Sequence, residues 1–205
     1  MSQKIILFDW DDTLFSKNEY KKRLSEDIAK VCNISAEDAW KLEEEYFESL
    51  DKSGDFRIDN FLQFISEKSK KKIDLSYFVT NNSDIYSGAV FPEVIHVLNQ
   101  LKNDFILGIY SQGFSDLQKI KIELSGIKDY FDKKLIYINN DKLDSKFIEK
   151  IPNGATVIDD KKVVIETLAS ARPDLQLLWI NRKDEEKLNT PKIRTIKNLD
   201  ELLTI

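Results

Sequence analysis

Short apolar runs recur along the chain, and several stop abruptly at a polar or acidic residue. Five read as buried strands rich in β-branched and aromatic side chains: Lys4–Asp9, Phe105–Ser111, Lys134–Asn139, Ala155–Asp160 and Gln176–Asn181. Helical spacing separates most of them. Leu117, Ile120 and Leu124 lie between the second and third strands, with Gly126 suited to the stop. Ser145–Ile151 is a short helical stretch closed by Pro152 and Gly154. Strand–helix alternation of this kind predicts an α/β fold, a doubly wound parallel sheet covered on both faces.

One interval breaks the alternation. From about Phe15 to Val90 no strand pattern occurs, and the apolar period is helical. Tyr20, Leu24, Ile28 and Val31 mark one helix, and Ser35 with Asp38 opens a second in the manner of a capping box. Ala39, Leu42, Tyr46 and Leu50 give that helix a face, and Ile58, Phe61, Leu62 and Ile65 mark a third. The pattern predicts a helical domain over residues 15–89 inserted into an α/β domain formed by 1–14 and 90–205. The chain rejoins the α/β domain near Pro92, ahead of Val94, Val97, Leu98 and Leu101.

Composition narrows the function classes. The chain has 205 residues, 41% of them hydrophobic, with a formal net charge of −5 and the charges mixed along its length. No basic field for nucleic acid is indicated. The one basic run, Lys68 and Lys70–Lys72, reads as a solvated helix end. A single cysteine, Cys32, excludes an internal disulfide framework and suits a cytoplasmic location. No apolar run approaches a membrane span, and the first residues lack the apolar core of a signal peptide.

The chemistry concentrates at strand ends. Phe8-Asp9-Trp10-Asp11-Asp12-Thr13-Leu14 puts three acidic residues within four positions after an apolar strand, and Asp159-Asp160 closes the fourth strand in the same way. Crowded carboxylates repel, so a cation is the natural compensation. Ligands of open α/β sheets bind at the carboxyl ends of the strands. Two acidic strand ends side by side would make an oxygen-rich site suited to Mg2+. Taken alone, the first motif is equally well explained by a helix cap or a polar strand end. The second strand ends in Ser111-Gln112-Gly113, where a hydroxyl and backbone N–H groups suit phosphate oxygens. Lys146, at the start of the helix after the third strand, would add positive charge; Lys142 competes for that place.

In this order the motifs resemble those of the haloacid dehalogenase (HAD) superfamily, in its helical-cap phosphatase branch. Asp9-x-Asp11-x-Thr13 is similar to motif I, Ser111 to motif II, Lys146 to motif III, and Asp159-Asp160 to the paired form of motif IV. Asp12 departs from the glycine of many members. The resemblance implies a Rossmann-like core with an inserted cap, and hydrolysis of a small-molecule phosphate ester with Mg2+ as cofactor. It implies Asp9 as nucleophile and Asp11 as general acid and base. Ser111, Gln112 and Lys146 would bind phosphate. Asp9, Asp160 and the backbone carbonyl of Asp11 would hold the metal, with Asp159 and Thr13 in support. A mobile cap would hinge at Phe15–Lys17 and Ser87–Val90.

Other residues read as structural. His96 suits a surface or packing role and Cys32 a buried small residue. Trp40, Tyr46, Phe47, Phe61 and Phe64 suit the core of the helical insertion. A phosphosugar mutase of the same fold is an alternative function, as is a non-catalytic binding protein. The presence of Asp11 favours phosphoryl chemistry over dehalogenation. Substrate and oligomeric state are not legible.

Overall fold

The computed structural model describes residues 4–50, 56–73, 83–183, 186–188 and 190–204. Parts of the predicted insertion, 51–55 and 74–82, lie outside these residues, as do the first three residues. The chain divides into two compact units. One contains the residues up to Phe15, Phe91–Gly113 and those from Ile127 onward. The other contains Ser16–Val90 and Phe114–Gly126.

The first unit is built on a six-stranded, all-parallel sheet: β1 (Lys4–Phe8), β2 (Phe105–Gln112), β3 (Ile136–Asn139), β4 (Thr156–Asp159), β5 (Gln176–Ile180) and β6 (Ile193–Ile196), in the order β3-β2-β1-β4-β5-β6. β1 lies at the centre, and its Leu7 and Phe8 are fully buried, as a two-sided parallel sheet requires. Phe8 registers with Ile109 on one side and Ile158 on the other. The carboxyl ends of β1 and β4 therefore stand nearly level, while β2 runs three residues past Ile109, to Gln112. Gly108 of β2 has a close-approach role, since a Cβ there would lie 2.6 Å from both the Leu135 carbonyl oxygen and the Leu7 side chain. Two longer helices belong to this unit, α5 (Val94–Leu101) and α8 (Lys162–Ala171), with a short α7 (Ser145–Ile148). Pro92 lies just before α5, whose cap is Glu93.

The sixth strand was not predicted. β6 has four residues, carries Arg194 on its exposed side and pairs only with β5 within the described sheet. With only Ile193 and Ile196 buried among its four residues, it leaves no continuous apolar run to read.

The second unit is helical: α1 (Lys17–Cys32), α2 (Ala36–Ser49), α3 (Ile58–Ser69), α4 (Ser83–Ser87) and α6 (Ser115–Leu124). Ser16 and Ser35 cap α1 and α2 by accepting the N–H groups of Glu19 and Asp38. Tyr46 packs against Phe56, Phe61 and Phe64 with ring centroids 5.0–5.8 Å away, an aromatic core as predicted. Cys32 is a buried free thiol and His96 is exposed. The helix α6 differs from expectation. The sequence assigns it to the α/β domain as the link between β2 and β3, yet it groups with the helical unit. The Lys121 ammonium lies 5.2 Å from the Tyr20 ring centroid, and α6 also packs on α4. No helix among the described residues is long and apolar enough to cross a membrane.

Candidate active site

The ends of β1 and β4 bring Asp9, Asp159 and Asp160 together. One carboxylate oxygen from each lies within 4.8 Å of the others. Asp9 is 3% exposed and Asp159 fully buried. The Asp9 N–H donates to the Ile158 carbonyl at 2.8 Å, which ties the two strand ends together at this point.

The loop after β1 is tightly wound. The Trp10 carbonyl accepts the N–H groups of Leu14 and Phe15, each at 3.0 Å, and Asp12 donates to the Phe15 carbonyl at 2.6 Å. Asp12 takes φ 62°, a left-handed conformation. That geometry explains why glycine would suit this position, and aspartate is among the non-glycine residues that tolerate it best. The Trp10 side chain is buried against Phe15 and Phe131. Asp11 is half-buried in the same turn and bridges to Phe15. Thr13 is fully buried, and its hydroxyl has no hydrogen-bond partner among the described residues.

Of the two candidate lysines, the structure brings Lys142 and not Lys146 to the acidic cluster. Lys142 is fully buried; its Nζ donates to Asp9 Oδ1 at 2.8 Å and to Asp159 Oδ2 at 2.5 Å. Lys146 is exposed on α7. The placement follows because the chain turns before the helix. Asp144 caps α7, and Asp141 accepts the Leu143 N–H at 2.9 Å, so Lys142 lies in the loop just past β3. The Tyr110 hydroxyl donates to the Lys142 carbonyl and fixes the backbone there. Proximity to the strand end was the better signal: Lys142 is three residues beyond β3, Lys146 seven.

Ser111 is fully buried near the end of β2. The half-buried Gln112 donates its Nε2 to the Asn140 carbonyl at 2.9 Å, so it anchors the loop that carries Lys142. Arg182, two residues past β5, was not singled out from the sequence; its Nη2 donates to the Thr13 carbonyl at 2.9 Å.

Charge in the cluster is unbalanced, with three carboxyls facing one ammonium. Burial pushes the Asp159 carboxyl up to about 7, with Asp9 adding repulsion and Lys142 opposing. Burial also raises Asp160 to about 7, followed by the charges of Asp9 and Asp12. For Lys142, burial opposes the charge, but Asp9 and Asp159 outweigh it and hold the ammonium above its ordinary range. Asp160 Oδ1 is buried without a hydrogen-bond partner among the described residues. Its Trp179 neighbour donates to the Asp160 backbone carbonyl instead, at 2.9 Å. An unsatisfied carboxylate oxygen beside two more carboxylates fits a hard divalent cation.

A sequence profile of the haloacid dehalogenase-like hydrolases matches residues 3–151. The chain belongs to this family of hydrolases. Among curated proteins it is similar to the pyrimidine 5'-nucleotidase YjjG of Escherichia coli K12, with 25% identity over 127 residues, covering 55% of this chain and 56% of the relative. The match thus spans little more than half the length of that relative. Among solved structures, a haloacid dehalogenase-like hydrolase from Burkholderia xenovorans LB400 aligns with a TM-score of 0.68 at 19% identity, covering 100% of this chain and 97% of the other. The HAD hydrolase YfnB of Bacillus subtilis, solved bound to magnesium, aligns with a TM-score of 0.61 at 16% identity, covering 100% and 98%. At these identities the structural matches speak to the fold.

Proposed function

We propose that this hydrolase cleaves phosphate monoesters of small metabolites through an aspartyl-phosphate on Asp9, with Mg2+ as cofactor. The observation that carries the reading is the buried Lys142 bonded to both Asp9 and Asp159, next to an Asp160 oxygen with no partner among the described residues. Asp11, two residues after Asp9, supplies the second carboxyl that phosphoryl transfer needs. In the first step an Asp9 oxygen attacks phosphorus, the bond to the ester oxygen breaks, and Asp11 gives that oxygen its proton. In the second, Asp11 takes a proton from water as the water attacks phosphorus, phosphate departs and the Asp9 carboxylate is regenerated. Lys142 and Ser111 would hold the charge of the transferring group, and Thr13 would steady the loop. Asp9, Asp160 and the Asp11 carbonyl would hold Mg2+, with Asp159 beside them; when bound, the ion neutralises phosphate charge.

The name of the E. coli relative makes nucleoside monophosphates the first substrate class to test. Selectivity is best sought in the helical unit, because the chain enters it directly after the Asp9–Thr13 loop. The experiment is a phosphate-release screen over nucleotides and sugar phosphates with and without Mg2+. Turnover should require the metal, and Asp9→Asn should lower it by on the order of a million-fold. Retention of several per cent of activity in Asp9→Asn, or halide release from a 2-haloacid in place of phosphate release, would overturn the reading.

A further inference from the structure

We propose that Arg182 is a positioning residue that staples the loop carrying Asp9 and Asp11 to the return of the chain at Phe91–Glu93. The side chain lies past the end of β5, and β4 separates that strand from β1. It therefore reaches across the end of one strand to grip the loop that follows another. Nη2 donates to the Thr13 carbonyl at 2.9 Å and pairs with Glu93 Oε1 at 2.7 Å. The guanidinium carbon lies 3.8 Å from the centroid of the Phe91 ring. Side-chain exposure is 18% for Arg182 and 14% for Glu93, so water screens the pair little. A planar cation that can stack and donate at once is what these three contacts need, and a lysine could not reproduce them together.

The grip matters because of the loop it holds. Asp12 is left-handed, and a strained residue persists only where its surroundings over-determine it. Inside the loop, Trp10 gathers the Leu14 and Phe15 N–H groups. From outside, Phe91 N–H donates to the Leu14 carbonyl at 3.1 Å, and Arg182 takes the adjacent Thr13 carbonyl. Arg182 thus clamps the two chain segments between which residues 16–90 are inserted. Asp9 and Asp11 sit at the near end of one of them.

The kinetic part of this inference rests on the proposed phosphatase reading; the structural part does not. Hydrogen exchange on the full chain reads the structural part directly. In Arg182→Met, the amides of Leu14 and Phe15 should lose roughly 10-fold in protection, with β4 and α8 unchanged. Arg182→Lys should recover part of it, since an ammonium can still donate to the Thr13 carbonyl. In the phosphatase assay, kcat should fall by roughly 10- to 100-fold with KM within about 3-fold, the signature of misplaced reacting groups. Unchanged protection overturns the inference, and so does a raised KM at constant kcat, which would make Arg182 a substrate ligand. If Arg182→Met does not fold, Glu93→Gln loosens the same clamp and should shift protection in the same sense by a smaller factor; no shift there also overturns it. A wild-type protein that releases no phosphate from any ester would sink the proposed function and leave the exchange result standing.

Discussion

Glu43 in the helical unit and Asp160 in the α/β unit are both carboxyls withdrawn from water, and both are pushed up to about 7. Burial is the first cause in each case. The neighbours then act in opposite directions. At Asp160 the next charges are Asp9 and Asp12, which repel its anion further. At Glu43, on the buried face of α2, they are Lys21 and Lys121, which draw its proton away. A buried acid is therefore not by itself the mark of a reactive site. Like charges gathered at strand ends call for a cation from outside, whereas at Glu43 the lysine charges offset part of the cost of burial.

The sharpest way to break this contrast is to remove the cation that the α/β cluster does contain. Lys142→Met leaves Asp9 and Asp159 facing each other without their shared donor. Turnover should fall by roughly 100- to 1,000-fold, and unfolding free energy without metal by about 3–5 kcal/mol. Lys146→Ala should leave turnover unchanged and stability within about 0.5 kcal/mol. Steady-state kinetics and denaturant unfolding of the two variants decide the matter. Equal effects would mean that the buried ammonium does not organise the cluster.

The two lysines also show where sequence reasoning holds and where it stops. Strands β1, β2, β4 and β5 were legible to within a residue or two, because two-sided burial leaves continuous apolar runs. Asp9, Ser111, Asp159 and Asp160 followed from them, since a residue at a strand end inherits the strand's position. Lys142 and Arg182 stand in loops two or three residues past a strand, where the backbone turns. Their side-chain directions depend on hydrogen bonds such as Tyr110 to the Lys142 carbonyl, which pair residues far apart in sequence. Glu43 was hidden for another reason: it occupies a buried helix position whose predicted face ran through Leu42, which is only half-buried. The membership of α6 in the helical unit is likewise a tertiary choice, as its apolar spacing would suit either surface.

A divalent cation offers a second, smaller test, with a change of sign built in. Saturating Mg2+ should stabilise the wild type by about 2.7 kcal/mol at a hundred times its dissociation constant. Asp160→Asn should lose most of that gain. Without metal the same variant should be more stable than wild type at pH 8, because the raised Asp160 carboxyl must ionise there against burial and its acidic neighbours. Thermal unfolding with EDTA and with Mg2+ measures both arms. A variant less stable than wild type in EDTA would mean that the Asp160 charge is already compensated within the fold.

The smallest effect belongs to Glu43, and its sign follows from linkage. The folded carboxyl titrates at about 7, above the ordinary 4.5, so the folded chain holds a proton that the unfolded chain has released. Stability from this group is thus greatest below pH 4.5 and declines as pH rises towards 7, levelling off above it. Between pH 6 and pH 8 the decline is about 1 kcal/mol. Asp159 and Asp160 titrate in the same window, so the total slope of the wild type does not isolate Glu43. The difference between wild type and Glu43→Gln does, because the amide keeps the shape of the side chain and removes its proton equilibrium. Relative to wild type, Glu43→Gln should gain about 1 kcal/mol on going from pH 6 to pH 8. Its Mg2+ stabilisation should match that of wild type, since no ligand to the ion is altered. Chemical unfolding at the two pH values, with and without the metal, reads all of this. A difference between the two proteins that stays constant from pH 6 to pH 8 would show that Lys21 and Lys121 hold Glu43 ionised. The carboxyl would then be one partner of a buried ion pair, and the contrast with Asp160 would rest on pairing alone.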